Sequence, residues 1–165
     1  VGKVLDLRAL TEERKTARNQ GKRFVFTNGC FDVLHRGHVE LLRAAKALGD
    51  ILCVGINSDS SVRRLKGERR PVVKEADRAA VLAALECVDF VTAFDQDTPA
   101  ELIAALRPDV LVKGADYAMD RIVGRQEVEG AGGTVVRIPL LEGYSTESFL
   151  QEIARRYRDM VKPDS

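Results

Sequence analysis

The sequence predicts an α/β fold with a mostly parallel, five-stranded sheet and helices on both of its faces. Short β-rich runs alternate with helix-forming stretches from one end of the chain to the other. One run, Ile51 to Ile56 (ILCVGI), is continuously apolar, which suits a strand buried on both faces. A length of 165 residues gives room for one such domain, since domains typically run to about 50–250 residues.

Each element has a local reason. Residues 9–20 (ALTEERKTARNQ) are polar and helix-forming, with Thr11 placed as N-cap and Gly21 placed to end an outer, solvated helix. Residues 22–27 (KRFVFT) read as the first strand, broken by the turn signal Asn28-Gly29. Between 38 and 48, Val39, Leu41, Leu42, Ala45 and Leu48 form the stripe of an amphipathic helix that Gly49 stops. After the strand at 51–56 come a helix over 75–86, a strand at 88–93, a helix beginning after Thr98-Pro99 and a strand at 109–113. The turn Gly130-Ala131-Gly132-Gly133 leads to a last strand at 134–138, and a closing helix over 145–158 puts Phe149, Ile153 and Tyr157 on one side. This alternation implies a single Rossmann-like domain that binds ligands at the carboxyl ends of its strands. Residues 1–22 are expected to form an N-terminal helical extension, 23–158 the domain proper and 159–165 (DMVKPDS) a flexible tail.

Composition narrows the function classes. With 26 Lys+Arg against 25 Asp+Glu, a net charge of +1, the chain lacks the basic excess of a general nucleic-acid binder. No run approaches the roughly 20 apolar residues of a membrane span, and no basic-then-apolar signal peptide opens the chain. A cytoplasmic protein that engages neither nucleic acid nor membrane is therefore expected. Val1 stands where Met would, as expected of a sequence that is processed, trimmed or cut from a longer polypeptide. The three cysteines, Cys30, Cys53 and Cys87, are widely spaced without a C-x-x-C, which argues against a disulfide framework and a zinc ribbon. Cys53 and Cys87 read as small core residues.

The chemistry gathers after the first strand. Neither G-x-G-x-x-G nor G-x-x-x-x-G-K-[ST] occurs, which disfavours a conventional dinucleotide site or P-loop. Instead the chain runs Thr27-Asn28-Gly29-Cys30-Phe31-Asp32-Val33-Leu34-His35-Arg36-Gly37-His38, which holds its only two His. They lie three apart where a helix begins, so both point from the first turn toward the strand's carboxyl edge. Gly29 and Gly37 remove side chains where backbone must approach a ligand, and the helix N-terminus offers free N–H groups and a positive dipole end. The assembly suits a polyphosphate: two imidazoles donate hydrogen bonds to phosphoryl oxygens as charge builds, while Asp32 fixes a ring tautomer. The competing readings are a structural role for both His, or a metal held by Cys30, Asp32, His35 and His38. The combination of residues disfavours both, and no metal ligand is assigned.

The stretch G-C-F-D-V-L-H-R-G-H resembles the signature of the nucleotidyltransferase superfamily that carries an H-x-G-H motif, in its cytidylyltransferase-like branch. The likeness continues through Asn57-Ser58-Asp59, Arg64-Leu65-Lys66-Gly67, Arg70-Pro71-Val72, Lys113-Gly114-Ala115-Asp116-Tyr117 and Glu142-Gly143-Tyr144-Ser145-Thr146, about residues 20–155 in all. Within that branch the chain is most similar to the D-glycero-β-D-manno-heptose 1-phosphate adenylyltransferases, a family whose domain is often fused to a sugar kinase.

The resemblance implies that a sugar 1-phosphate oxygen attacks the α-phosphorus of ATP in line and expels pyrophosphate, for synthesis of the lipopolysaccharide core. Positioning and charge stabilisation govern such a transfer. It implies that His35 and His38 contact the triphosphate and stabilise the leaving charge. Neither acts as a general base, because a sugar phosphate is already an anion. Lys66, beside Gly67 in a mobile loop, is implied to clamp the β- and γ-phosphates. Asn28, Gly29, Cys30, Phe31, Asp32, Gly37 and Asn57 are implied to line the nucleotide site, as are Gly114 and Lys113, for which a surface cap is the other reading. Asp116 and Tyr117 would shape the pocket around the acceptor or the ribose. Ser145 and Thr146 would combine helix capping with phosphate contact. Mg²⁺ is implied by the triphosphate rather than by a ligand motif, and a homodimer by the habit of relatives.

Segment 60–80 carries Arg63, Arg64, Lys66, Arg69, Arg70, Lys74 and Arg78 against Glu68, Glu75 and Asp77; its ordinary reading is a solvated surface loop, preferred for Arg69 and Lys74, with Lys66 set apart. Leu140-Leu141 stand where glycerol-3-phosphate cytidylyltransferases show Arg-Thr, which weakens a CTP reading. The alternatives are a glycerol-phosphate or ethanolamine-phosphate cytidylyltransferase, an FMN adenylyltransferase, and a nucleotide-binding sensor or scaffold without turnover.

Overall fold

Alternate residues of the strands go to opposite faces of one sheet, and this sets the architecture of the computed structural model, which describes residues 1–158. Strands β1 (Lys3–Val4), β2 (Phe24–Gly29), β3 (Ile51–Asn57), β4 (Phe90–Phe94), β5 (Val110–Gly114) and β6 (Thr134–Ile138) lie in the order β1-β4-β3-β2-β5-β6. Every pairing is parallel. The helices are α1 (Leu7–Asn19), α2 (Arg36–Lys46), α3 (Asp59–Lys66), α4 (Glu75–Ala83), α5 (Ala100–Leu106), α6 (Arg125–Gly130) and α7 (Thr146–Tyr157), with a 3-10 turn at Met119–Arg121.

Phe24, Phe26, Cys53, Phe90 and Leu111 pack on one face against Leu10 and Ala17 of α1, Leu102, Ile103 and Leu106 of α5 and Val128 of α6. Val25, Leu52, Val54, Val110 and Val112 pack on the other against Leu42 and Ala45 of α2 and Ala79 and Leu82 of α4. Phe26 and Leu52 are fully buried, and burial of each such side chain is worth about 1.5–3 kcal/mol. From β2 the sheet extends through β3 and β4 on one side and through β5 and β6 on the other. The carboxyl ends of β2 and β5 therefore flank the crevice where such folds bind ligands.

The sheet has six strands rather than five. The extra one, β1, has two residues and no hydrophobic run of its own. It exists because Lys3 pairs with Phe90 and Val4 with Val91, and because Gly2 donates to the Ala83 carbonyl. Residues 1–22 are thus built into the sheet and, through Leu10 and Ala17, into the core. Helix α1 starts earlier than its polar run suggests. Asp6, not Thr11, caps it by accepting the Ala9 N–H at 2.8 Å, and Thr11 donates its hydroxyl to the Leu7 carbonyl inside the helix.

Part of segment 60–80 is helix α3, capped by Ser58, which accepts from the Ser61 N–H, and anchored by the buried Ser61 and Val62. Helix α7 carries Phe149, Ile153 and Tyr157 on one side as its spacing predicts, but that side remains 37–50% exposed. Residues 159–165, expected as a tail, lie outside the described residues.

Candidate active site

A cleft of about 670 Å³ opens at the carboxyl end of the sheet, and all sixteen residues singled out as site residues in the sequence line it. It also takes in Leu65, Arg70, Thr98, Arg121, Leu140 and Tyr144, none of which was assigned a role there.

The floor of the cleft is a strained turn. Phe31 and Val33 both have left-handed backbones, with φ of +47° and +53°, and for a β-branched residue such as Val33 this is a genuine outlier. Strain of this kind costs of order 1–3 kcal/mol per residue and persists only where the surroundings over-determine it. Asp32, buried between them, supplies the constraint. Its carboxylate accepts from Arg70 Nε at 2.6 Å, from the Val72 N–H at 2.9 Å and from the Val73 N–H at 2.9 Å, while its carbonyl accepts the Thr146 hydroxyl at 2.7 Å. Burial by itself raises this carboxyl's pKa, but the Val73 and Val72 N–H groups and Arg70 outweigh it and hold the pKa below the usual value. The expected tautomer contact is therefore absent, because those oxygens are committed to the loop at 70–73. The Thr146 hydroxyl is likewise committed to the turn, and the Ser145 hydroxyl to a capping box with Ser148.

The turn delivers the two imidazoles. His35 is the N-cap of α2 and contributes no side-chain cap, so the first N–H groups of this helix are left without a capping side chain. His38 sits in its first turn, and the two rings stack with centroids 3.8 Å apart. Phe31 flanks His38 at 5.2 Å, and Phe149 stacks on His35 at 5.5 Å with the ring planes nearly parallel. A Cβ on Gly37 would lie 3.0 Å from Tyr144 Cβ and 3.1 Å from the His35 ring, so glycine here makes room for the imidazole and its neighbour. Burial lowers the pKa of His35, while burial and then the neighbouring His35 lower that of His38 to about 4. Both shifts favour the neutral imidazole at pH 7. The Nδ1 atom of each ring is buried with no hydrogen-bond partner among the described residues, an unusual cost outside a functional site.

Two lysines line the same cleft. Lys66 ends α3 and is exposed on the cleft rim, held by a helix rather than a loop. Lys113, buried at the end of β5, contacts Asn28 Oδ1 and lies over the Tyr117 ring. A Cβ on Gly114 would run into the Asp116 carboxylate and Leu140, which fixes this strand end as glycine. Asn57 donates to Ser61 Oγ at 3.0 Å, and its Oδ1 lies 3.9 Å from the Cys30 thiol, whose pKa burial raises.

Sequence reasoning missed the group that ties these strand ends together. Arg78, fully sequestered on α4, donates to the carbonyls of Cys30 at 2.7 Å, Asn57 at 2.9 Å and Val73 at 2.9 Å, and to Asp59 Oδ1 at 2.8 Å. In a run of seven cations nothing marked it as different. Only the helical phase it shares with the buried Leu82, four residues on, hinted that it faces inward. Among the described residues, no group of three or more His, Cys, Asp or Glu could hold a metal ion, and no helix is long and apolar enough to cross a membrane.

A parallel sheet with anion-seeking groups at its switch point defines an α/β domain built to handle nucleotides. The cytidylyltransferase-like family matches residues 26–151, and the chain belongs to this family of nucleotidyltransferases. It is 53% identical over 152 residues to the bifunctional protein HldE of Pelobacter propionicus, covering 92% of this chain and 31% of that protein. It is 52% identical over 157 residues to HldE of Helicobacter pylori, covering 95% and 32%. The chain thus spans about a third of the length of these relatives. A solved structure of a lipopolysaccharide core biosynthesis protein from Thermoplasma volcanium superposes with a TM-score of 0.61 at 29% identity, over 76% of this chain and all of that one. A pantoate-beta-alanine ligase from Francisella tularensis shares the fold, with a TM-score of 0.62 at 16% identity, over 99% of this chain and 80% of that one.

Proposed function

We propose that this chain transfers AMP from ATP to D-glycero-β-D-manno-heptose 1-phosphate, forming ADP-heptose and pyrophosphate in the route to the lipopolysaccharide core. The observation that carries the substrate assignment is the identity of about half its residues with HldE along nearly the whole chain. The chemistry is supported by the stacked His35 and His38 at the uncapped start of α2.

In this reading the β- and γ-phosphates of ATP lie against the α2 N-terminus, where helix N–H groups, both imidazoles and Lys66 meet their charge. An oxygen of the acceptor phosphate attacks the α-phosphorus as the bond to the β-phosphate oxygen breaks and pyrophosphate leaves. No proton has to be removed from the attacking oxygen, which fits two imidazoles kept neutral as donors rather than poised as bases. Magnesium enters with the triphosphate as part of the substrate, held by phosphate oxygens and water. The base lies toward Leu140 and Leu141, whose apolar side chains suit a purine face better than a pattern of charged contacts. The same reading places the chain in the cytoplasm, with small molecules rather than nucleic acid or membrane as its partners. A homodimer is supported by the apolar side of α7 that the chain leaves exposed.

Mass spectrometry of products from Mg·ATP or Mg·CTP incubated with heptose 1-phosphate, glycerol 3-phosphate, ethanolamine phosphate or FMN tests the assignment. ADP-heptose is the expected product. Turnover confined to CTP, or to one of the other acceptors, overturns it, and nucleotide binding without any product favours a sensor.

A further inference from the structure

The crevice between β2 and β5 holds a cation that the fold leaves without a counter-charge. Thr27 pairs with Val112, so the next residues, Asn28 and Lys113, stand side by side on one face of the sheet. Lys113 is 8% exposed and lines the cleft. Its ammonium has the Asn28 side-chain oxygen as acceptor and the Tyr117 ring 5.4 Å away. Among the described residues no carboxylate oxygen comes within ion-pair distance of 4.0 Å. The other two buried cations differ: Arg14 reaches Asp109 at 3.0 Å and Arg78 reaches Asp59 at 2.8 Å. A buried ammonium without a carboxylate is costly, and an arriving anion removes that cost.

We infer that Lys113 is a further catalytic residue, whose ammonium takes an oxygen of the phosphorus at which transfer occurs. The inference rests on the reading that the cleft binds a nucleoside triphosphate. Asn28 and Lys113 continue the alternation of Phe26 and Leu111, which face α1 and α5, whereas His35 and His38 rise from α2 on the opposite face. The imidazole pair and the Lys113 ammonium therefore straddle the sheet's edge. The imidazoles meet the departing phosphates on one side, and Lys113 meets the reacting phosphorus at the switch point. Charge that builds on its equatorial oxygens then has a preorganised partner in a desolvated site.

Burial pulls the Lys113 pKa down to about 8, with Asp116 pulling the other way. The remaining titratable and charged groups around it are Tyr117 in the same loop, Cys30 beyond β2 and Arg137, its register neighbour on β6, whose guanidinium donates to the Tyr117 carbonyl. A bound phosphate oxygen restores full charge, so binding at pH 8 takes up roughly half a proton.

Isothermal titration calorimetry with Mg²⁺ and α,β-methylene-ATP, at pH 8 in Tris and in HEPES, reads this uptake. The wild-type chain is expected to take up roughly half a proton per site and Lys113→Met close to none. Lys113→Arg, always charged, is expected to bind without uptake. In steady-state assays Lys113→Met is expected to lose roughly 10²–10³ in kcat, while Lys113→Arg recovers part of that loss. Uptake in Lys113→Met equal to wild type, or a kcat within about threefold of it, overturns the role of Lys113 alone. Absence of analogue binding to the wild-type chain overturns the nucleotide reading and this inference together.

Discussion

At the amino-terminal end of the sheet, Asp50, Asp89 and Asp109 each stand directly before a strand and accept an N–H at the start of its neighbour, all at 2.7 Å. Lys46 completes the Asp89 site at 2.6 Å and Arg14 the Asp109 site at 3.0 Å. At the carboxyl end the same backbone geometry carries the reverse treatment of charge. There, among the described residues, Lys113 lacks a carboxylate and both imidazoles have an unpartnered nitrogen, while Phe31 and Val33 hold left-handed backbones. One end is satisfied by the protein itself, and the other is left for the anionic substrate of the proposed reaction to complete. Stability and function are thus separated along the strand axis, a separation that substitutions at either end should expose.

The largest effect is expected from His38→Ala. Pyrophosphate release should slow by roughly 10²–10³ in kcat/KM, with thermal stability close to wild type, because the ring's contribution belongs to the transition state. A loss confined to stability would erase the contrast between the ends. Next comes pH. The folded pKa of His38 is lowered to about 4, so between its ordinary value and pH 4 the folded chain binds fewer protons than the unfolded one. Stability is complete above about 6.5 and declines as pH falls toward 4, by at most about 3 kcal/mol. Chemical denaturation across that window should show the slope in wild type and a shallower one in His38→Gln. The Asp32 carboxyl, its pKa lowered rather than raised, adds its own loss only below the ordinary carboxylate range.

At the opposite end, Asp109→Ala should cost about 2 kcal/mol in urea denaturation, since it leaves the nearly buried Arg14 guanidinium and the Phe24 N–H short of a partner. Its kcat/KM should stay within about twofold of wild type. The smallest effect is expected from Val33→Gly, which relieves a left-handed backbone and should raise stability by about 1 kcal/mol while loosening the turn that aims the imidazoles. A rise in stability together with a fall in kcat sharpens the comparison; a fall in both shows that the turn is not under strain.

The division between what the sequence reveals and what it hides follows the range of the interactions. Strands β2 to β6, helix α2 and the glycine-flanked imidazoles were legible because each depends on local periodicity or on a contiguous motif. Strand β1 was not, since two residues carry no period and its existence depends on Phe90 and Val91 across the sheet. Helix α3 was hidden by its cations, although Ser58 and Val62 mark its cap and its buried side. Nothing local sets Arg70 and Arg78 apart within one basic run, and only tertiary structure sends the first to Asp32 and the second to three carbonyls. Asp32 is the reverse case. Its place in the motif suggested a contact with an imidazole, whereas its carboxylate holds the loop at 70–73.

A crystal structure of the chain with Mg²⁺ and α,β-methylene-ATP tests the central claim most directly. The β- and γ-phosphates are expected within hydrogen-bond distance of His35, His38 and the first N–H groups of α2, with the α-phosphate at the crevice between β2 and β5. A nucleotide bound elsewhere, or in this cleft with its phosphates away from both imidazoles, would contradict the account.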